Sequence, residues 1–258
     1  CALADPQHVG TIGIMAGIPE VPTAFLLSFR QMEAYCQQHM FPPGVGVKLA
    51  VPGSTDHALA RNEIVEASEG EWTLFLDCDH YVEATLLHRL VLTMYGGQDM
   101  TKPPECLVVT GLYFKRRAWW QNEHETRYPQ LYAWSIDPEK EGGICPLDYL
   151  SMLKRGAIEP GQPFHVEACG GGCLLVHRSV FERMAAEWPK EKPFDNVIAK
   201  IGRMGEDVSF CWRCKQLGIP IVCAPSAESY HKEEHYLRLS EFWSPEPEEV
   251  TADGAAEH

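Results

Sequence analysis

The chain has 258 residues, with 22 Lys and Arg against 36 Asp and Glu, a formal charge of −14. That length suits one large domain or two small ones and is enough for a complete enzyme fold. A 45% hydrophobic and 22% charged composition excludes disorder throughout, and the acidity excludes a general nucleic-acid binder, which needs a basic footprint to displace counterions.

Ile12–Met15 reads as a strand, ended by Ala16-Gly17-Ile18-Pro19. A helix follows Pro22-Thr23, because Phe25, Phe29, Met32 and Cys36 recur at helical spacing. Val47, Leu49 and Val51 alternate as a second strand, and Gly53-Ser54-Thr55-Asp56 supplies a turn and N-cap candidates for a helix through Ala67. The continuous apolar run Trp72–Leu76 suits a central strand covered on both faces. A helix over 84–95 and a strand Cys106–Thr110 continue the alternation. The segment 113–168 is irregular and aromatic, with a basic cluster at Lys115-Arg116-Arg117. Order returns with the strand Cys173–Val176, a helix from Ser179, a helix Glu206–Leu217 closed by Gly218, and a strand Ile221–Ala224.

This βαβαβ order predicts an α/β fold with a mostly parallel central sheet flanked by helices. Ligands of such sheets bind beyond the carboxyl ends of the strands, which points to Ala16-Gly17, Pro52–Ser54 and Asp77–Asp79. One domain is expected over 1–243, with an acidic, disordered tail over 244–258. Ten cysteines need not be staples at this size, and Cys106, Cys173 and Cys223 lie in apolar runs as small hydrophobes. No run reaches membrane-spanning length, and no basic-then-apolar leader opens the chain, which begins at Cys1 and not at Met. A soluble, cytoplasmic protein with reduced thiols is expected.

Asp77-Cys78-Asp79, straight after the buried strand, is the sharpest local feature. Residues i and i+2 there project to one side, and two adjacent carboxylates call for a cation or hydrogen-bond donors. Mg²⁺ or Mn²⁺ suits such a pair together with a substrate diphosphate. The plainer alternative is that Asp77 caps the next helix and Asp79 is solvated.

Taken together, Ala60-Arg61-Asn62-Glu63, Thr73-Leu-Phe-Leu-Asp-Cys-Asp79, Gly111-Leu-Tyr-Phe-Lys-Arg116, Gly170-Gly-Gly-Cys-Leu-Leu-Val-His-Arg178, Gly205-Glu-Asp-Val-Ser-Phe210 and Tyr230-His231 resemble a nucleotide-sugar-dependent glycosyltransferase of the GT-A fold. The order and spacing are similar to the small family 2 members of bacteria and phages, over roughly residues 10–235. The resemblance implies a UDP- or GDP-linked sugar donor, a Mn²⁺ or Mg²⁺ ion and a hydroxyl acceptor, with a glycan or small molecule favoured and a modified DNA base conceivable. It implies that Asp79 and His231 hold the metal, and that Asp77 contacts the ribose or a metal-bound water. Glu206-Asp207 matches the acidic pair that supplies the base of inverting members, usually the Asp. A retaining enzyme would instead use Asp207 to hold acceptor or sugar.

The donor would lie against Ala16, Gly17, Ser54, Arg61, Asn62, Asp77, Gly171 and Gly172. Arg61 suits paired phosphate oxygens, and Asn62 suits either the ribose or support of the loop. Each has a plainer counterpart: an exposed helical Arg61, a surface His231, Glu206 and Asp207 favoured by the helix dipole, and Gly170–Gly172 as an ordinary turn. Trp119, Trp120 and Trp134 are either sugar platforms or core. Cys211-x2-Cys214 with His231-x3-His235 imitates a zinc site, but its cysteines fall inside the helix after Glu206. Many family members carry an acid after the second strand that reads the base. Val51-Pro52-Gly53 stands there instead. Alternative functions are a metal-dependent nucleotidyltransferase, or a non-catalytic nucleotide- or sugar-binding module of the same fold.

Overall fold

A computed structural model describes residues 8–15, 21–97, 100–114, 128–136, 143–200 and 202–231. The strands are β1 His8–Met15, β2 Gly46–Ala50, β3 Trp72–Asp77, β4 His80–Val82, β5 Val108–Leu112, β6 Leu131–Trp134, β7 Ile144–Pro146, β8 Phe164–Val166, β9 Ala168–Cys169, β10 Cys173–His177, β11 Ile198–Ala199, β12 Gly202–Arg203 and β13 Ile221–His231. The helices are α1 Thr23–His39, α2 His57–Ala67, α3 Leu86–Met94, α4 Tyr149–Lys154, α5 Arg178–Glu187 and α6 Glu206–Gln216.

The main sheet has eight strands in the order β2-β1-β3-β10-β5-β13-β4, with β8 pairing β13. β2, β1 and β3 run parallel, as do β5 and β13. The expected α/β sheet, mixed and mostly parallel, is therefore present. β10 is the exception in its centre, antiparallel to both β3 and β5. Its reversal carries Gly170–Gly172, at its start, to the carboxyl end of β3, where the Asp77 amide donates to the Gly172 carbonyl at 3.0 Å.

Period-two alternation on β3 feeds two cores. Leu74 and Leu76 pack with Phe25, Phe29, Met32 and Cys36 of α1 and with Leu87 and Leu90 of α3, so the apolar face read in α1 is the buried one. Phe75 packs on the other side with Ile64 of α2, Phe181 of α5 and Phe210 of α6. Asp56 caps α2 by accepting from the Leu59 amide at 3.0 Å. Gly218 follows α6 at φ +63°, the left-handed conformation that ends helices. On β2, the sheet edge, the alternating apolar set is split: Val47 packs against the core, whereas Leu49 is 50% and Val51, just past its end, 57% exposed.

β1 lies so close to its neighbours that two of its residues have no room for a side chain. A Cβ on Gly10 would stand 2.4 Å from the buried Trp72 indole, and one on Gly13 2.4 Å from Ile64. Gly10→Ala is expected to cost about 1–3 kcal/mol through overpacking, seen as a lower urea midpoint with an unchanged slope. No helix among the described residues is long and apolar enough to cross a membrane.

Candidate active site

The carboxyl end of β3 delivers Asp77 into a charged network. Arg61, on the inward face of α2 and only 3% exposed, donates from Nη2 to Asp77 Oδ1 at 3.3 Å and from Nη1 to Glu206 Oε1. Glu206 opens α6, and His57 Nδ1 at the start of α2 lies 3.8 Å from the same oxygen. One buried guanidinium thus joins the acid at the end of β3 to the acid at the start of α6. Burial alone would pull the Arg61 pKa down, but Asp77 and Glu206 raise it above its ordinary value.

Asp207 sits beside Glu206, half-buried, with Oδ1 accepting from the Val208 amide at 2.7 Å. Burial and the adjacent Glu206 raise its pKa above the ordinary Asp value, against a smaller lowering by Arg61. Asp207 is thus a carboxylate with raised affinity for a proton, beside the Arg61 network.

The three consecutive glycines each clear a specific side chain. A Cβ on Gly170 would stand 2.3 Å from the Tyr113 hydroxyl, one on Gly171 2.7 Å from Arg61 Cζ, and one on Gly172 2.8 Å from Asp77 Oδ2 and 3.2 Å from His80 Nε2. None of the three has positive φ, so the requirement is steric. Gly171 and Gly172 were expected to admit a ligand; here they admit the side chains of the site itself. The Gly172 amide donates to the Tyr113 hydroxyl at 2.9 Å, and burial together with Asp77 keeps the Tyr113 phenol far above its usual pKa.

Beyond Asp77 the chain turns into the short β4, which pairs with the end of β13 in a register that sets His231 opposite His80. Asp79, His80 and His231 each offer one ligand atom within 4.8 Å of the others. His231 Nδ1 donates to the Phe114 carbonyl at 2.6 Å. Asp79 and His231, which the resemblance linked to a metal, are thus neighbours. An oxygen-and-imidazole donor set of this kind suits a divalent ion. His80 escaped the sequence reading.

Other expected residues are placed differently. Asn62 is 1% exposed and bonds elsewhere than the Arg61 network: its Nδ2 donates to the Asp195 carboxylate at 2.9 Å and its Oδ1 accepts from the Phe194 amide at 3.0 Å. Through these bonds it supports the 191–195 loop. Arg61 is not the exposed helical residue of the plainer reading, nor does it face outward as a phosphate clamp: a phosphate would have to displace Asp77 or Glu206. Ser54 is held near the start of α2, where the Gly53 and Ser54 amides donate to Glu63 Oε2 at 2.8 and 3.3 Å. Trp134 is 7% exposed with the Lys215 amine 5.1 Å from its ring centroid, a core position and not an open platform. Cys211 and Cys214 are buried in α6, with Cys211 Sγ 4.0 Å from Cys169 Sγ, so they do not join His231 in a zinc set. Ala16, Gly17, Lys115–Arg117, Trp119, Trp120, His235 and the tail 244–258 lie outside the described residues.

No protein-family model matches the chain, and no curated protein sequence matches it. Among solved structures it is similar to A197 from STIV, at 17% identity and a TM-score of 0.42 over 86% of this chain and 85% of that one. It is similar to GalNAc-T7 with UDP, GalNAc and Mn²⁺, at 13% and 0.47 over 88% of this chain and 44% of that one, so it spans less than half of that protein. It is also similar to glucosyl-3-phosphoglycerate synthase from Mycobacterium tuberculosis in complex with Mn²⁺, UDP and phosphoglyceric acid, at 12% and 0.43 over 92% of this chain and 74% of that one. The fold itself is a mixed, mostly parallel sheet flanked by helices. At these TM-scores the likeness carries no argument, and function is argued from the site.

Proposed function

We propose that this chain is a metal-dependent glycosyltransferase that moves a sugar from a nucleoside-diphosphate donor to a hydroxyl acceptor with inversion, Asp207 acting as base. The observation that carries the reading is the joining of Asp77 at the end of β3 to Glu206-Asp207 at the start of α6 through Arg61, beside Asp79 and His231. Ligands of α/β sheets bind at such strand ends. Asp79 and His231 would hold Mn²⁺ or Mg²⁺, with Asp77 directed at the ribose or a metal-bound water. When bound, the ion supplies positive charge that stabilises the departing nucleoside diphosphate.

The chain's own residues do the remainder. The Asp207 carboxylate takes the proton of the acceptor hydroxyl as its oxygen attacks the anomeric carbon. Arg61 keeps Asp77 and Glu206 in fixed relation, and Gly171 and Gly172 let the start of β10 close over that network. The loop around Ser54 would border the donor, and the resemblance adds Ala16 and Gly17 to that set. A protein of charge −14 meets an anionic donor because the ion brings cationic character to one crevice. The same reading places the whole activity in one domain over 1–243.

The test is a thermal-shift panel of nucleoside diphosphates with and without Mn²⁺. One nucleotide at 100 times its Kd should stabilise by about 2.7 kcal/mol, and only with metal. Release of that nucleoside diphosphate from the matching nucleotide sugar should follow. No metal-dependent shift with any nucleotide overturns the reading.

A further inference from the structure

We propose that His80 is a metal ligand alongside Asp79 and His231, giving a two-imidazole, one-carboxylate set that selects Mn²⁺ and later transition ions over Mg²⁺. This deepens the metal reading above and rests on it. The juxtaposition is built into the sheet: His80 and His231 are directly opposed partners of the antiparallel β4–β13 pair. Directly opposed side chains of such a pair lie on the same face. Their rings are 4.2 Å apart at an interplanar angle of 81°.

Hydrogen bonding at the far side of each ring decides which nitrogen faces the site. The Phe114 carbonyl can only accept, so His231 Nδ1 carries the proton and Nε2 carries the lone pair. His80 Nδ1 lies 2.9 Å from Ser229 Oγ. That contact turns His80 Nε2 towards Asp79, whose Oδ1 is 3.9 Å away. Outer partners of this kind orient metal-binding imidazoles. Ser229 and His231 stand two apart on β13 and so share a face, one orienting the first imidazole and the other supplying the second. Gly172 completes the arrangement: a side chain there would crowd His80 Nε2 and Asp77 Oδ2 together.

Two nitrogen donors change which ion the set prefers. Mg²⁺ favours oxygen ligands and retains its waters, whereas imidazole raises affinity along the transition series. Mn²⁺ should therefore bind the full chain about tenfold or more tighter than Mg²⁺ by calorimetry. Pulsed electron paramagnetic resonance of the Mn²⁺-loaded protein should resolve two directly bound ¹⁴N nuclei. His80→Gln and His231→Gln should each leave one, and Ser229→Ala should weaken Mn²⁺ binding by about tenfold or more. One bound nitrogen in the unsubstituted protein, two persisting in His80→Gln, or equal affinity for Mg²⁺ overturns the proposal while leaving a metal site in place. The nitrogen count of the unsubstituted protein decides even where His80→Gln does not fold. No Mn²⁺ binding, with or without nucleoside diphosphate, overturns the metal reading itself.

Discussion

Asp207→Asn is expected to lower turnover by roughly 10²–10⁴-fold, the usual contribution of a positioned general base, while metal-dependent nucleotide binding stays intact. The amide occupies the same volume but cannot take a proton from the acceptor. Three further readouts separate a base from a structural acid. First, the activity of the unsubstituted enzyme should fall with decreasing pH along a limb lying above the ordinary Asp pKa of about 3.9, because burial and Glu206 raise the Asp207 pKa. Second, Glu206→Gln removes one of those raising influences and should move the limb down. Third, the sign of the stability change is fixed. An acid whose folded pKa is raised contributes stability only while protonated, and that contribution is lost as pH rises through the folded value. Asp207→Asn should therefore raise the Tm at neutral pH, with the gain fading in acid. An Asp207→Asn enzyme with full kcat and a higher acceptor KM would place the side chain in acceptor holding and remove the inverting mechanism.

Much of this arrangement was legible in the chain because local rules governed it. Apolar spacing marked the buried face of α1, Asp56 marked the start of α2, and Gly218 the end of α6. The run Trp72–Leu76 announced a strand covered on both sides. What local pattern could not carry was direction. Cys173–Val176 reads equally well as a parallel or an antiparallel strand, and only its pairing between β3 and β5 reverses it and brings the glycines over Arg61 and Asp77. Arg61 illustrates the same limit. It follows Ala60 on a helix, and nothing in that spacing shows that its side chain enters a crevice lined by acids from two other elements. His80 was hidden because it follows the acidic pair immediately and belongs to a three-residue strand. A histidine directly after the second acid, matched by another near the end of the last strand, was the signal available.

The network around Arg61 is where the fold and the site depend on each other most. Arg61→Met is expected to destabilise the protein by about 3 kcal/mol, the lower end of the range for breaking a buried ion pair from one side, or about 6–12 °C in Tm. The lower end applies because Asp77 and Glu206 keep 31% and 17% side-chain exposure, so water relieves part of their repulsion. Arg61→Lys should recover only part of the loss, since one ammonium is a point charge and cannot span two carboxylates as a planar guanidinium does. Adding Glu206→Gln to Arg61→Met should recover stability, because it removes one of the two acids left without their cation. A kinetic consequence follows from the same charges. Arg61 lowers the Asp207 pKa, so its removal should displace the low-pH limb of turnover upward, opposite to the shift expected of Glu206→Gln. A phosphate clamp would behave otherwise: Arg61→Met would weaken nucleotide binding by an amount that grows as salt is lowered, with stability and the pH limb unchanged. Opposite limb shifts for two substitutions on one ion pair require that guanidinium and carboxylate act on a third group, as both act on Asp207.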